Sequence, residues 1–564
     1  MNSGAGVTNI AGTLPAMALA QPDVPAIYYP ERRNADGTTT YSNYTYAELE
    51  TQSNRIAAGL EAAGIRRGVR TVLMVTPSLE FFALTFALFK VGAVPVMVDP
   101  GIGVKNLGLC LAEAAPEAFV GITKAHVARV ILGWARKTLR TLVTVGPRLF
   151  WGGHTLEQIK ALGDQNPGWT MAATDPSDHA AILFTSGSTG PSKGVIYTHA
   201  NFLAQVEAIR NLYDIRPGEI DLPTFPLFAL FDPALGMTTV IPQMDFTRPA
   251  AANPELLAQA IKQFGVTNMF GSPALLNTFS RWTEPRNEQF PTLRRIISAG
   301  APVPSAVLER MSRALDPAAR IHTPYGATES LPVATIHHRT VLDETAALTA
   351  QGRGVCVGQP VPTIRLDVIR ITDEPIEQWS DDLRVPTGQI GEIVVRGEVV
   401  TQGYFGRDKA TRLAKIRGPA GEVMHRMGDV GYLDEAGRVW FCGRKGHRVT
   451  LADGTVLFSS LEDIFNQHPA VYRSAIVGPV GSDGAVTPVV IVELEAAHKG
   501  ADPKKLAVEL WALASAHPLA SRVAGVLVHS AFPVDIRHNA KIGREKLTVW
   551  ATGRRFTPFA GGKA

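Results

Sequence analysis

The sequence predicts an α/β protein with a large N-terminal domain of layered α/β subdomains and a small α+β C-terminal domain. Apolar patterns typical of helices and of strands alternate between Tyr46 and Pro100, which indicates layers with mostly parallel strands. Near Pro360 the pattern changes to short β-like runs between glycine-rich turns, which predicts a β-rich subdomain. A charged stretch follows Gly443, so we expect a hinge there and domains at 1–443 and 444–564.

The individual elements follow from the spacing of apolar residues. Apolar residues at helical spacing from Ala47 to Leu60 predict the first long helix. The run 72–75 predicts a strand, 81–91 a helix and 94–98 the next strand. The alternation recurs through 261–271 and 293–299, and the strands expected in the β-rich part are 364–369, 390–395 and 439–442.

Composition excludes several classes of protein. A chain of 564 residues exceeds what one core supports, and 45% apolar with 19% charged residues fits a soluble globular enzyme. The net charge is only +4 and no long basic block occurs, so no nucleic acid is expected as a partner. Cys110, Cys356 and Cys442 lie far apart without metal-ligand spacing, which indicates a reducing compartment and hence the cytoplasm.

No segment predicts export or membrane insertion. The first thirty residues lack a charged region before their apolar stretch, and Pro15 interrupts that stretch, so no signal peptide is expected. The most apolar window, 81–89, is too short to cross a bilayer and ends at Lys90, so we expect a core helix and no transmembrane segment. No amphipathic basic helix is evident.

A loop between two predicted strands has the composition of a polyphosphate site. Residues 185–194 include five hydroxyl side chains, three glycines and one lysine, without a carboxylate. Glycines let backbone N–H groups approach phosphoryl oxygens, and hydroxyls and a lysine add donors. The spacing is not that of a Walker A loop. A flexible surface turn is the alternative, which the apolar strands at 178–184 and 194–198 disfavour. The candidate ligands are Thr185, Ser186, Gly187, Ser188, Thr189, Gly190 and Lys193.

Four further segments occur in a fixed order after this loop. They are Ser298-Ala299-Gly300-Ala301-Pro302, Tyr325-Gly326-Ala327-Thr328-Glu329, Gly428-Asp429 and Asn539-Ala540-Lys541-Ile542-Gly543-Arg544. In this order and spacing the chain resembles, over nearly its whole length, the ANL superfamily of adenylate-forming enzymes. The resemblance implies the ANL fold, with a mobile C-terminal domain, and ATP and Mg²⁺ as cofactors.

The resemblance also assigns roles to the matching residues. Tyr325 offers a flat face to adenine, and Gly300, Ala301, Pro302 and Gly326 let the base lie against backbone. Asp429 accepts hydrogen bonds from the ribose hydroxyls, and Arg444 belongs to the same nucleotide site.

The remaining roles concern the phosphates and the acyl group. Glu329 and Thr185 are the expected Mg²⁺ ligands, and Thr328 donates to the α-phosphate. Lys541 brings positive charge to the carboxylate and α-phosphate in the transition state, which makes it catalytic together with Glu329 and Thr328. Phe228, Ala229 and Gly271 are assigned to the acyl pocket.

Local departures narrow the function. Ala229 stands where many acyl-CoA ligases have a histidine or large aromatic residue, so we expect a wider acyl site. Gly446 stands where the superfamily usually has Asp or Lys at its hinge, so rotation for a thioester step is not clearly encoded. Lys541 also has unusual neighbours. Together with 444–449, this segment is similar to the β-lactone synthetases of bacterial long-chain olefin biosynthesis.

That similarity implies an ATP-dependent reaction without CoA. A long-chain 2-alkyl-3-hydroxy acid is adenylated, and its own hydroxyl then closes a β-lactone and expels AMP. His199, His425 and His447 are the candidates for the group that accepts the hydroxyl proton. A long-chain fatty acyl-CoA synthetase is the alternative, and a non-catalytic nucleotide sensor is disfavoured because Glu329 and Lys541 are both retained. Assembly with the decarboxylase and ketoreductase of the same pathway is implied.

Overall fold

The computed structural model describes residues 7–184, 192–481, 484–534 and 541–559. The first 200 residues alternate between strands and helices. The strands are β1 (Pro25–Arg33), β2 (Thr39–Thr45), β3 (Arg70–Met74), β4 (Val94–Val98), β5 (Ala118–Ile122), β6 (Thr141–Val145), β7 (His154–Thr155), β8 (His179–Phe184) and β9 (Gly194–Thr198). The helices are α1 (Thr13–Ala20), α2 (Tyr46–Ala62), α3 (Leu79–Lys90), α4 (Val104–Ala114), α5 (Thr123–Leu132) and α6 (Leu156–Gly163).

The middle of the chain continues the alternation and leads into the β-rich part. Its helices are α7 (His199–Tyr213), α8 (Pro226–Ala229), α9 (Asp232–Leu235), α10 (Pro254–Phe264), α11 (Pro273–Thr283), α12 (Ser305–Ser312), α13 (His338–Thr340), α14 (Ala346–Ala350) and α15 (Asp408–Ala414). Its strands are β10 (Ile220–Pro223), β11 (Thr238–Val240), β12 (Asn268–Phe270), β13 (Arg295–Ile297), β14 (Arg320–His322), β15 (Tyr325–Ala327), β16 (Ser330–Thr335), β17 (Val355–Pro360), β18 (Ile364–Ile369), β19 (Gly391–Gly397), β20 (Lys415–Arg417), β21 (Val423–Leu433) and β22 (Val439–Arg444).

The C-terminal part is shorter. It contains β23 (Val449–Thr450), β24 (Val456–Leu457), α16 (Glu462–Phe465), β25 (Val471–Val477), β26 (Val489–Leu494), α17 (Pro503–Ala514), β27 (Gly525–Val528), α18 (Arg544–Ala551) and β28 (Thr557–Pro558).

Two seven-stranded sheets form the layered α/β part. Their strand orders are β14-β13-β12-β10-β11-β1-β2 and β7-β6-β5-β3-β4-β8-β9. All neighbours pair in parallel except β2 on β1 and β9 on β8, at one edge of each sheet. The prediction of mostly parallel α/β layers is therefore confirmed.

The predicted core helix is α3. Ser78 caps it by accepting a hydrogen bond from the Phe81 N–H, and every residue from Phe81 to Lys90 is buried. Lys90 ends the helix inside the protein, where its ammonium contacts Glu50 Oε2 at 2.7 Å and Asn54 Oδ1 at 2.6 Å. Burial lowers the pKa of Lys90 to about 8. The apolar window at 81–89 thus packs against α2 rather than lipid.

The β-rich subdomain is an antiparallel sheet with the order β15-β16-β17-β22-β21-β19-β18, to which β20 adds beside β21. Its strands match the predicted runs 364–369, 390–395 and 439–442 closely. The carboxyl end of β22 is Arg444, so this sheet leads directly into the predicted hinge.

Beyond the hinge a four-stranded sheet, β25-β26-β27-β28, carries α17 and α18. The two apolar clusters around this sheet contain only residues from Val449 onward. A separate core supports the boundary between 443 and 444, which we keep as a proposal.

No helix within the described ranges is long and apolar enough to cross a membrane. Cys110, Cys356 and Cys442 are all buried and unpaired with one another. Burial raises the pKa of the Cys442 thiol to about 12, so this thiol is not a reactive one.

A buried acidic pair joins β10 to the short helix α9. Asp221 and Asp232 are 3% and 4% exposed and share a hydrogen bond, and Thr239 Oγ1 donates to Asp232 Oδ2 at 2.6 Å. Asn268 donates to Asp221 from the next strand. Burial raises the pKa of Asp221 to about 7, and burial followed by repulsion from Asp221 raises that of Asp232.

We expect this pair to make stability fall as pH rises. A raised carboxyl pKa means that the folded protein holds a proton that the unfolded chain releases above pH 4, so between about pH 4 and 7 each pH unit costs up to about 1.4 kcal/mol. Asp232→Asn keeps an N–H donor for Asp221 without the titrating group. Unfolding temperatures measured from pH 5 to 8 should therefore vary less in this variant than in the wild type. Asp453→Asn, at an exposed carboxylate, is the control, and equal slopes in all three proteins would contradict the shared proton.

Candidate active site

A cavity of about 1750 Å³ is lined by residues of both parallel sheets, the β-rich sheet, the hinge and the C-terminal part. It exceeds the roughly 300–1,000 Å³ of ordinary small-molecule sites. Its walls combine a polar set and an aromatic set. The polar set includes Lys193, Thr328, Glu329, Tyr404, His425, Arg444 and Lys541, and the aromatic set includes Phe81, Phe89, Phe202, Phe225, Phe228, Phe231, Phe246 and Phe270.

The predicted polyphosphate loop connects two paired strands. β8 and β9 are antiparallel, and Phe184 pairs with Gly194 at the open end of the ladder. Thr185, Ser186, Gly187, Ser188, Thr189 and Gly190 lie outside the described residues. Lys193 is described: its ammonium lies 4.8 Å from the centre of the Tyr404 ring, at the cavity wall.

Asp429 is held from two sides next to this cavity. The Tyr325 hydroxyl donates to Asp429 Oδ2 at 2.7 Å, and Arg444 Nη1 lies 2.9 Å from Oδ1. The arginine also donates to the Met427 carbonyl at 3.2 Å. β15, β21 and β22 thereby meet at one carboxylate, which is only 4% exposed.

One oxygen of this carboxylate keeps an open acceptor position. Asp429 Oδ1 is buried, and no described residue donates a well-aligned hydrogen bond to it. Burial raises the pKa of Asp429, and among the opposing effects the positive charge of Arg444 is the largest. The negative charge of Asp429 in turn raises the pKa of Arg444. The Arg444 ion pair compensates the charge at Oδ1 but leaves its hydrogen-bonding capacity unfilled, so the site suits a ligand that brings hydroxyl groups.

Two glycines shape the neighbouring backbone. Gly300 has φ +96°, a conformation that residues with a Cβ rarely adopt. At Gly326 a Cβ would lie 2.8 Å from the Ser330 carbonyl oxygen. Both glycines line the cavity, whereas Tyr325 and Asp429 stand behind residues 324, 326, 427 and 428, which do.

Glu329 is oriented by Tyr404 and Thr401. The Tyr404 hydroxyl donates to Glu329 Oε1 at 2.7 Å, and the Thr401 N–H and Oγ1 donate to the Glu329 carbonyl at 3.0 and 3.1 Å. The neighbouring Thr328 carbonyl accepts from the Tyr197 hydroxyl. Glu329 and Thr328 both line the cavity.

A buried cation lies behind Glu329. Lys415 Nζ donates to the Thr401 carbonyl at 2.5 Å, and burial lowers its pKa to about 7 against the attraction of Glu329. Sequence reasoning missed both Lys415 and Tyr404. A lysine after the helical run 408–414 predicts a solvated side chain, and Tyr404 lies in a glycine-flanked turn pattern, so neither carries a distinctive signal.

Lys541 lines the same cavity although it lies 97 residues beyond Arg444. The antiparallel bridge between Val534 and Ile542 fixes the backbone next to it. Lys445 and Gly446 also line the cavity. The predicted catalytic residues Lys541, Glu329 and Thr328 are therefore brought to one site.

The three histidines considered as acceptors of the hydroxyl proton lie in different environments. His199 is a core residue whose Nδ1 accepts from the Ile10 N–H at 3.3 Å, and burial lowers its pKa to about 4. His447 Nε2 lies 3.2 Å from Glu545 Oε1. Of the three, His425 lines the cavity, and its Nδ1 donates to the Ala414 carbonyl at 3.1 Å. Burial and then Lys415 hold its pKa well below the usual value, so His425 is neutral.

The acyl-pocket residues are placed differently from one another. Phe228 lines the cavity, and its ring centre lies 4.4 Å from that of Phe270. Ala229 is fully buried in the core cluster below α8, and Gly271 lies between the lining residues Phe270 and Ser272 without lining the cavity itself. The expectation that Ala229 widens the pocket is therefore corrected: its methyl group packs into the core. Ala301 and Pro302 also lie outside the cavity wall.

Comparison with known proteins identifies the family. The model of a family described as AMP-binding enzyme matches residues 15–405. The chain belongs to this family. The ANL superfamily assignment made from the motifs is thereby confirmed.

Two curated relatives illustrate the similarity. The chain is 51% identical over 552 residues to "Olefin beta-lactone synthetase" of Xanthomonas campestris pv. campestris, covering 97% of this chain and 98% of the relative. It is 26% identical over 480 residues to "Long-chain-fatty-acid--CoA ligase" of Escherichia coli O6:H1, covering 80% of this chain and 81% of the relative. The similarity to the β-lactone synthetase therefore extends across the hinge and the C-terminal part.

Among solved structures, an amide bond synthetase from Marinactinospora thermotolerans superimposes with a TM-score of 0.76 at 22% identity. The match covers 96% of this chain and 100% of that protein. At this identity the likeness shows the fold alone, and it confirms the predicted ANL architecture.

We expect Asp429→Ala to weaken nucleotide binding more than catalysis. Loss of the buried acceptor should raise the Kd for AMP or ATP about tenfold or more, because the ribose hydroxyls expected to bind there would lose their acceptor, while kcat at saturating ATP changes less than about threefold. Calorimetric titration and steady-state kinetics measure the two quantities.

Tyr325→Phe is the matched variant, since it removes one donor to Asp429 and keeps the carboxylate. Its nucleotide affinity should fall less than that of Asp429→Ala. Unfolding temperatures of both variants control for damage to the buried ion pair, and an unchanged Kd in a folded Asp429→Ala protein would place Asp429 outside the nucleotide site.

Proposed function

We propose that the protein converts a long-chain 2-alkyl-3-hydroxy acid and ATP into a β-lactone, AMP and pyrophosphate. The observation that carries this proposal is the 51% identity, over 97% of the chain, to an olefin β-lactone synthetase. The cavity supports it, because its volume of about 1750 Å³ has room for a nucleotide together with a large apolar substrate.

The walls of the cavity suit alkyl chains. Phe225, Phe228 and Phe270 form one aromatic group with ring centres 4.4 to 6.4 Å apart. Phe202 joins a second group, 5.8 Å from Phe89 and 6.3 Å from Phe231. Each methylene group transferred from water to such a surface contributes about 0.8 kcal/mol, so long chains bind without charged partners.

In the first step the substrate carboxylate attacks the α-phosphorus of ATP, and the bond to pyrophosphate breaks. Asp429 would hold the ribose through its open Oδ1, and Lys193 would lie against the phosphates. Lys541 would stabilise the charge that accumulates on the α-phosphate and carboxylate oxygens during attack. The acyl-adenylate is the product of this step.

A magnesium ion fits the site through one protein carboxylate. Within the described ranges no group of three or more His, Cys, Asp or Glu side chains is arranged to hold a metal. Mg²⁺ commonly binds through one or two carboxylates together with substrate phosphates and water. Glu329, which lines the cavity and accepts from Tyr404 through Oε1, would provide that carboxylate. The predicted ligand Thr185 lies outside the described residues.

In the second step the β-hydroxyl oxygen attacks the activated carbonyl carbon. The new C–O bond closes the four-membered ring, the bond between the carbonyl carbon and the AMP oxygen breaks, and the hydroxyl proton passes to water. Because nucleophile and electrophile belong to one bound molecule, proximity replaces a second substrate, and effective molarities of about 10⁵ M or more are attainable.

The second candidate, a long-chain fatty acyl-CoA synthetase, is favoured by the apolar cavity and the shared first step. It would use CoA in place of the internal hydroxyl. A non-catalytic sensor is disfavoured because Lys541 and Glu329 line the same cavity.

Three further expectations belong to the proposal. Residues 444–564 act as a lid that carries Lys541, the protein works in the cytoplasm, and it assembles with the decarboxylase and ketoreductase of the same pathway. The separate apolar core after Val449 supports the first of these.

Lys541→Ala should abolish most chemistry while nucleotide binding persists. We expect substrate-dependent pyrophosphate release to fall about 100-fold or more, because the lysine charge acts on the transition state, with the Kd for ATP changed less than about threefold. Lys546→Ala, an exposed lysine of α18, is the matched control and should keep full activity. Equal losses of affinity and turnover would contradict a transition-state role.

Substrates with and without the hydroxyl separate the two candidate enzymes. A 3-hydroxy acid should give lactone, AMP and pyrophosphate at a rate independent of CoA, because the nucleophile is already present. The matching acid without its hydroxyl should stop after about one turnover of pyrophosphate as bound acyl-adenylate, and CoA should not restore turnover. Mass spectrometry of the products and a pyrophosphate assay measure both. Repeated turnover of a simple fatty acid to a thioester would overturn the lactone proposal and leave the synthetase.

A further inference from the structure

One face of the protein concentrates exposed apolar side chains. Of the fifteen large apolar side chains that are exposed among the described residues, seven lie between residues 104 and 150. Two of them are among the most exposed in the protein, Ile131 at 75% and Phe150 at 79%. We call this the α4–α5 face, and its apolar members are Val104, Leu109, Val130, Ile131, Leu132, Leu149 and Phe150.

The members of this face are connected through packed residues. Gly108 on α4 lies against Trp134, since a Cβ at Gly108 would be 3.1 Å from Trp134 Nε1, and Trp134 lies two residues beyond the end of α5. Trp151 stacks on His126 of α5 with ring centres 5.2 Å apart, and Phe150 contacts Trp151 edge-on at 5.6 Å. α4, α5 and the loop after β6 therefore form one continuous surface.

The charged side chains of this face are mostly basic. Residues 104–150 contain seven basic and two acidic side chains. Both acidic residues are engaged elsewhere: Glu117 lies 3.2 Å from Arg70, and Glu113 lies 2.6 Å from Arg407. The basic residues are Lys105, Lys124, Arg129, Arg136, Lys137, Arg140 and Arg148, of which all but Arg129 are exposed.

The α4–α5 face borders the cavity. Ile122, Lys124 and Ala125, at the start of α5, line the cavity, whereas Ile131 and Leu132 end the same helix about 10 Å further along its axis. The ion pair between Glu113 and Arg407 joins α4 to α15, whose residues Asp408 and Leu413 also line the cavity.

We propose that the α4–α5 face docks on an anionic lipid bilayer and places the cavity next to it. Exposed aliphatic and aromatic side chains interleaved with lysine and arginine are what an interfacial anchor needs: the apolar groups enter the acyl boundary, and the cations meet anionic headgroups. A nucleic-acid site would not require protruding aliphatic residues, and an ordinary protein interface is depleted in lysine. Delivery of an apolar substrate from the bilayer would follow, a consequence that rests on the proposed function, whereas docking itself does not.

Vesicle flotation of the purified full-length protein tests the docking. Vesicles of phosphatidylcholine with about 30 mol% phosphatidylglycerol should bind the protein about tenfold or more tightly than vesicles of phosphatidylcholine alone, and added salt should weaken the binding. The double variant Ile131→Ser with Leu132→Ser should lose about tenfold or more of this affinity. Arg136→Gln with Lys137→Gln should reduce the preference for the anionic vesicles.

The control places the same change on another surface. Val508 and Val549 are 63% and 76% exposed on α17 and α18, and their replacement by serine should leave vesicle binding unchanged. All of the changed side chains are at the surface, so unfolding temperatures should stay equal. Absence of vesicle binding by the wild type, or equal binding by the Ile131→Ser/Leu132→Ser variant, would overturn the proposal, as would capture of the face by a soluble protein partner without any lipid affinity.

Discussion

The buried carboxylate of Asp429 is the constraint on which the arrangement of the site depends. Its oxygens receive the Tyr325 hydroxyl from β15 and the Arg444 charge from the end of β22, while Asp429 itself belongs to β21. Three segments that are distant in sequence must therefore meet at the correct register before the charge is compensated. Since Arg444 ends β22 at the proposed domain boundary, the same contact ties that boundary to the β-rich sheet.

A second buried ion pair ties the residue after Arg444 to the β-rich sheet. Glu392 and Arg426 are each 1% exposed and lie 2.7 Å apart, and Lys445 Nζ adds contacts to Glu392 at 3.1 Å and to the Thr372 carbonyl at 2.9 Å. Breaking one member of such a group leaves an uncompensated buried charge, which is strongly unfavourable. Lys445 is therefore tied to the β-rich sheet. In the proposed lid motion this contact would place the pivot at Gly446, two residues into the proposed C-terminal domain. Glycine at this position supplies backbone freedom without disturbing the buried group.

Elements with a strong apolar period could be predicted from the sequence, and contacts between distant segments could not. The segment 81–91 and the runs at 94–98 and 194–198 correspond to α3, β4 and β9 because their burial repeats locally. The antiparallel pairing of β9 with β8 depends on the whole sheet and leaves no local signal. The position of Ala229 could not be predicted from the sequence. It lies in α8, which has four residues, and so short a helix has no apolar period that shows which side faces the core. The burial of Lys415 could not be predicted either, because it results from the pairing of β20 with β21. The α4–α5 face could not be predicted from the sequence because two helices and a loop form it together, and neither helix is amphipathic and basic by itself.

Two carboxylates at a site for a polyanion need an explanation, and the structure gives the same one for both. Glu329 and Asp429 each accept a tyrosine hydroxyl at 2.7 Å, from Tyr404 and Tyr325 respectively. Burial, followed by the charge of the accepting carboxylate, raises the pKa of both phenols, so each remains a donor throughout the physiological range. A neutral donor orients a carboxylate without cancelling its charge, whereas a lysine or arginine in the same place would compete with a bound cation. Under the proposed function, Glu329 would thereby be oriented toward a metal ion without competition from a second cation, and Asp429, whose charge Arg444 compensates, would accept from hydroxyl groups. In that proposal the tyrosines let acidic side chains serve an anionic ligand.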